Sequence, residues 1–90
     1  MIAVEGDLDL SVADRIEEEL AKAERGEAEA IVLDLSELTF IDSTGIAVLI
    51  AAARRSAEDT NRLRIRRSHA PGVRRMLALT GVDGRLPFVD

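Results

Sequence analysis

Two stretches decide how this chain folds: Ile31-Val32-Leu33-Asp34-Leu35 and, four residues on, Phe40-Ile41-Asp42-Ser43-Thr44-Gly45. The first is a nearly continuous apolar run of strand length, the mark of a central strand buried on both faces. The second belongs to a strand over Leu38 to Ile41 that runs straight into Asp-Ser-Thr-Gly and then, from Thr44 to Ala53, into ten residues without a charge. A strand that turns into a helix here places Ser43 at the first turn. Unpaired backbone N–H groups and the positive end of the helix dipole converge there. Such a place suits a phosphate, an anion or a partner's acidic group.

Upstream, Ile2 to Val4 reads as a short strand, and Gly6-Asp7-Leu8-Asp9 as a turn or strand end before Ser11, the expected cap of a first helix. Val12, Ile16, Leu20 and Ala23 recur at helical spacing opposite Asp14, Glu17, Glu18 and Glu24, so this helix is amphipathic and ends near Gly26. Downstream, a second helix is predicted over Thr44 to Glu58, with Ile46, Leu49, Ile50 and Ala53 as its core stripe. Arg62-Leu63-Arg64-Ile65-Arg66 alternates strictly, which predicts a strand near a sheet edge with Leu63 and Ile65 inward and three arginines in water. Pro71 opens a third helix with Val73, Met76 and Leu77 on its apolar face, Gly81 stops it, and Leu86 to Val89 is read as a last strand. Strands separated by single helices imply right-handed crossovers, hence a small α/β superhelix.

Ninety residues are expected to form one domain, 1–90, with a small core. Only Phe40 and Phe88 are aromatic, so that core has to be aliphatic. The chain has no cysteine, which excludes disulfides, Cys-ligated zinc, iron–sulfur clusters and thiol catalysis and is compatible with a cytoplasmic location. The N-terminus carries no secretory signal pattern, and Leu38 to Ala53, broken by Asp42, is too short to span a bilayer. The net charge of -5 is unevenly spread. Residues 1–45 hold thirteen acidic and three basic side chains, and residues 46–90 four acidic and nine basic. Either the halves neutralise each other on folding, or an acidic patch faces a basic partner and an arginine face an anionic one.

Four motifs in series resemble one family: Gly6-Asp7-Leu8-Asp9; Ile31-Val32-Leu33-Asp34-Leu35-Ser36; Phe40-Ile41-Asp42-Ser43-Thr44-Gly45; and Val73-Arg74-Arg75-Met76-Leu77 with Leu79-Thr80-Gly81-Val82. Together they are similar to the STAS domain of bacterial anti-sigma factor antagonists. The resemblance implies a STAS-type right-handed βα superhelix, a small mixed sheet of about four strands, and three helices packed mainly on one face. It covers nearly the whole chain, which is short for the family at both ends. A strand the family usually has before Ile2 is missing, so the first strand would keep an open edge. A monomer is expected, and that edge would permit a dimer.

The resemblance further implies a non-enzymatic protein that binds an anti-sigma factor serine kinase and so frees a sigma factor. The kinase phosphorylates the serine after the motif's aspartate, here Ser43, and a serine phosphatase reverses the step. Thr44 is the nearest rival hydroxyl. Asp42 caps the helix, takes part in contact, or does both, since a capping carboxylate fixes where Ser43 points. Gly45 lets the backbone approach a neighbour closely or relieves crowding at the first turn. Ala47, Val48 and Ala51 are left over from the core stripe, so together with Asp42, Ser43, Thr44 and Gly45 they are expected to form the partner surface. Ala47 departs from the family, where a second glycine is common. The alternative is a STAS scaffold or subunit that is never phosphorylated, in a lipid-transport or stress-sensing complex.

Other chemistries are weaker. Asp42, Ser43 and His69 are the residue types of a hydrolase triad, but Gly-x-Ser-x-Gly is absent. Asp7, Asp9 and Asp34 suggest a divalent metal only weakly, because one histidine forms no cluster. No cofactor or metal is expected. The arginines from Arg62 to Arg75 raise nucleic acid as a partner, against which stand a pI near 4.8 and the lack of Tyr and Trp.

Overall fold

A computed structural model describes residues 1–89. Strands β1 (Ile2–Ala3) and β2 (Gly6–Leu8) lead into helix α1 (Leu10–Arg25). Strands β3 (Ile31–Asp34) and β4 (Leu38–Ile41) lead into α2 (Ser43–Glu58), and β5 (Leu63–Arg66) leads into α3 (Pro71–Leu79). The α/β class and the three helices are those expected. The strands form two small sheets, β1-β3-β5 and β2-β4, and every pairing is parallel, so the sheet is not mixed. The two sheets are the halves of one bent ribbon. Residues 2–8 run beside residues 31–41, first as β1 on β3 and then as β2 on β4. The bend falls at Leu35-Ser36-Glu37, where Leu38 N–H bonds the Leu35 carbonyl and turns the chain. The runs Ile31 to Leu35 and Leu38 to Ile41 are therefore separate strands, as the sequence predicts.

β3 is the central strand, flanked by β1 and β5, with Ile31, Leu33 and Leu35 buried and Val32 and Asp34 half-buried. Leu63 and Ile65 of β5 are buried as the alternation predicts. Arg62, expected in water, instead turns back on the end of α1. Its guanidinium donates to the carbonyls of Glu24 (2.7 Å), Gly26 (3.0 Å) and Ala28 (2.9 Å), groups a helix end leaves unpaired. The Leu86–Val89 strand reduces to one bridge, Ile65 to Phe88. Pro87 has no N–H to extend the ladder, although its carbonyl accepts from Ile65 N–H at 2.9 Å. Arg67 holds this tail, ion-paired to Asp83 at 2.8 Å and stacked 4.0 Å over the Phe88 ring.

The core is aliphatic. Leu8, Ile16, Leu20, Leu33, Leu35, Leu38, Leu49 and Ile65 are fully buried, while Phe40 is half exposed and Phe88 only partly covered. Helix α2 packs against both the strands and α1, and Arg55 of α2 pairs with Glu17 (3.4 Å) and Glu24 (3.0 Å) of α1. This pairing is one place where the acidic first half and the basic second half neutralise each other. Helix α3 packs beside β4 and is stopped by Gly81, whose φ of 76° suits a residue without a Cβ.

Candidate functional site: the Asp42 to Gly45 helix start

Parallel pairing brings the ends of β2 and β4 to one edge, where Leu8 is the register partner of Ile41. Both strands turn at once into helices, and both helices are capped by aspartate. Asp9, rather than Ser11, caps α1, because Leu10 is already helical. Its carboxylate accepts from the Ser11 N–H at 3.0 Å and the Ser11 hydroxyl at 2.6 Å. Asp42 caps α2 from an extended backbone (φ -117°), and its Oδ1 accepts from Gly45 N–H at 3.0 Å. Its carbonyl accepts from Ile46 N–H at 3.0 Å, and its own N–H donates to the Leu8 carbonyl at 3.4 Å. The cap thus joins strand β2 to the first turn of α2.

Ser43 is the first helical residue, one position earlier than predicted, and its side chain is exposed. Among the described residues its hydroxyl makes no hydrogen bond. Thr44 beside it is half-buried, so of the two hydroxyl-bearing residues Ser43 is the more accessible. Gly45 is buried against β2 and β4. A Cβ there would run into the Leu8 carbonyl and come within 2.8 Å of Ile41 Cγ1 and 2.9 Å of Leu8 Cγ, so nothing larger than glycine fits. The first turn of α2 is seated directly on the backbone of β2, and Ser43 is held where that seat puts it.

Of the expected partner surface, Ala47 is exposed and Ala51 half-buried on the outward side of α2 below Ser43. Val48 is not part of it. Only 7 % of it is accessible, and it lies in the core with Gly45, Ile46, Leu49 and Ala52. The reason is that α2 is covered on two sides, by the strands and by α1, so its buried arc is wider than one stripe.

His69 is exposed, and its backbone N–H bonds the Ser36 carbonyl at 3.2 Å, next to β3. Asp34 accepts from Ser36 N–H at 2.9 Å. That bond, the Ser36 side chain, and the nearby charges of Arg66 and His69 hold its carboxyl below the ordinary carboxylate range. Among the described residues no base hydrogen-bonds the Ser43 hydroxyl, and the Asp42 carboxylate accepts from Gly45 N–H. Among the described residues no group of three or more His, Asp or Glu side chains could hold a metal ion. Surface depressions lined by Arg55 and Arg62, or by Ile50, Arg54 and Arg85, include none of residues 42–45. No helix among the described residues is long and apolar enough to cross a membrane.

Two further features were not read from the sequence, one at the start of β4 and one at the start of α1. Ser68 is buried, donates to the Leu38 carbonyl at 2.8 Å and accepts from Ala70 N–H at 3.0 Å, so it fastens the start of α3 to β4. Leu10, at the start of α1, is 77 % exposed. The only signal for it was the similarity of Leu8-Asp9-Leu10-Ser11 to Ile41-Asp42-Ser43-Thr44, two strand ends with the same cap.

Comparison with known proteins agrees with this architecture. A crystal structure of an anti-sigma factor antagonist from Mycobacterium paratuberculosis superposes with a TM-score of 0.81 at 28% sequence identity, over 96% of this chain and 72% of that one. No curated protein matches the chain. The family model described as "Mlab, STAS domain" matches residues 1–90. On that match over its full length, the chain belongs to the STAS domain family.

Proposed function

We propose that this chain is an anti-sigma factor antagonist, a binding module without enzymatic activity whose contact with an anti-sigma factor serine kinase is broken when Ser43 is phosphorylated. A serine phosphatase restores it. The observation that carries the reading is an exposed hydroxyl, free of internal hydrogen bonds, on the first residue of a helix that is rigidly seated below it. The likeness to an anti-sigma factor antagonist supports the partner class. Phosphorylation would add roughly -1.5 to -2 charges beside the Asp42 carboxylate. Inside an interface that dianion must be desolvated against a surface shaped for a neutral hydroxyl. A penalty of about 4 kcal/mol lowers affinity roughly a thousandfold, enough for a switch. Within the free protein the α2 dipole offsets part of the charge, by at most ~2 kcal/mol, so the phosphorylated domain stays folded. The switch acts on the contact and leaves the fold alone.

The test is binding of Ser43→Asp and Ser43→Ala to the cognate kinase. The aspartate variant should lose binding and the alanine variant keep it; equal binding by both removes the mechanism. A second reading keeps the fold and drops the phosphate. It makes the chain a STAS scaffold or subunit that is never phosphorylated, in a complex of the lipid-transport or stress-sensing kind. Intact mass after incubation with ATP and candidate kinases separates the two, since an unmodified chain supports the subunit.

A further inference from the structure

Leu10, like Ser43, is the first residue of a helix that follows directly from a strand end. Leu8 and Ile41 are register partners in parallel strands, so Leu10 and Ser43, each two positions on, begin α1 and α2 from adjacent strand ends. Leu10 is 77 % exposed, whereas Ala13, Ile16 and Leu20 of the same helix are buried. Capping of α1 is done by Asp9 and Ser11, so Leu10 serves neither the cap nor the core. Within four residues of Leu10 or Ser43 in the chain, Asp7 and Asp14 are exposed and Asp9 and Asp42 half-buried, and among the described residues none of the four is in an ion pair. An exposed apolar side chain on a segment whose carboxylates carry no ion pair is one half of a complementary surface.

We propose that Leu10 is the apolar anchor of the surface that presents Ser43, and that its partner is a protein face with an apolar socket edged by lysine or arginine side chains. The identity of that partner rests on the reading of Ser43 given above. A leucine seated in a socket excludes water around it, and that is where a neighbouring phosphate would have to be desolvated. The partner's cations are already matched to the four carboxylates and leave none over for the dianion. The same carboxylates disfavour an anionic lipid surface.

The experiment measures binding of wild type, Leu10→Ala, Ser43→Asp and Leu79→Ala to each purified anti-sigma factor kinase of the same genome, with thermal unfolding of every variant. Leu79 is the control, 73 % exposed at the far end of α3. Leu10→Ala should weaken binding roughly thirtyfold, the size of a hot-spot residue, without lowering the unfolding temperature. Leu79→Ala should leave binding unchanged, and association of the wild type should slow as salt rises. Loss of binding in Ser43→Asp with none in Leu10→Ala overturns the anchor and leaves the switch. Loss in Leu10→Ala with none in Ser43→Asp does the reverse. Equal losses in the two leucine variants, or association insensitive to salt, also overturn the proposal, and a wild type bound by no kinase ends both.

Discussion

Gly45→Ala sets two physical effects against each other at the candidate site. Inside a helix, replacing glycine by alanine stabilises by up to about 1 kcal/mol, so propensity alone predicts a more stable protein. The seat of α2 predicts the opposite. The new methyl meets the Leu8 carbonyl, Ile41 Cγ1 at 2.8 Å and Leu8 Cγ at 2.9 Å, and the first of these is backbone that cannot rotate away. Overpacking of this kind costs about 1–3 kcal/mol, occasionally more. The net effect is a loss of about 1–2 kcal/mol, which in a domain of this size lowers the unfolding midpoint by roughly 5–15 °C. Thermal unfolding followed by circular dichroism reads it directly. An unchanged or higher midpoint would show that β2 and α2 separate freely, and would refute the argument that Ser43 is rigidly placed.

Substitutions at two further positions probe the scaffold. Arg62→Ala should destabilise by about 1–2 kcal/mol, because three carbonyls at the end of α1 lose a charged donor; Arg62→Lys should recover less than half, since an ammonium cannot reproduce the fork, as urea midpoints will show. Asp34 titrates lower in the fold than in the unfolded chain, so its ionised form favours folding above the ordinary value of 3.8, and that contribution fades as pH falls through the folded value. Wild type should therefore exceed Asp34→Asn in urea midpoint at neutral pH, with the gap closing in strong acid; a gap independent of pH would contradict the assignment.

Local rules carried most of the architecture. The apolar period of α1, the alternation of Leu63 and Ile65, the proline and glycine bounding α3, and the capping aspartate at 42 all follow from near neighbours in sequence. The failures were non-local. Nothing within ten residues of Val48 reveals that α1 will cover that flank of α2, and nothing around Arg62 names the helix end it reaches, more than thirty residues away. The break between the Ile31 and Leu38 strands was legible, but not that the second would pair with β2 in a sheet of its own. Asp9 displaced Ser11 as the cap because two good capping residues stood two positions apart, a choice set by where β2 ends. At the site the motif gave the hydroxyl, and register alone supplied Leu10.

The seat of Gly45 also determines how Ser43 can be read. Its backbone is fixed in a helical turn, locked below by the cap and the close approach to Leu8. An enzyme that draws its target into an extended groove would first have to unwind that turn, breaking the Asp42 bond and lifting α2 from the strand. Recognition of this serine is therefore recognition of a shape assembled from residues far apart in the chain. An unfolded copy, with the same letters in the same order, carries no legible address.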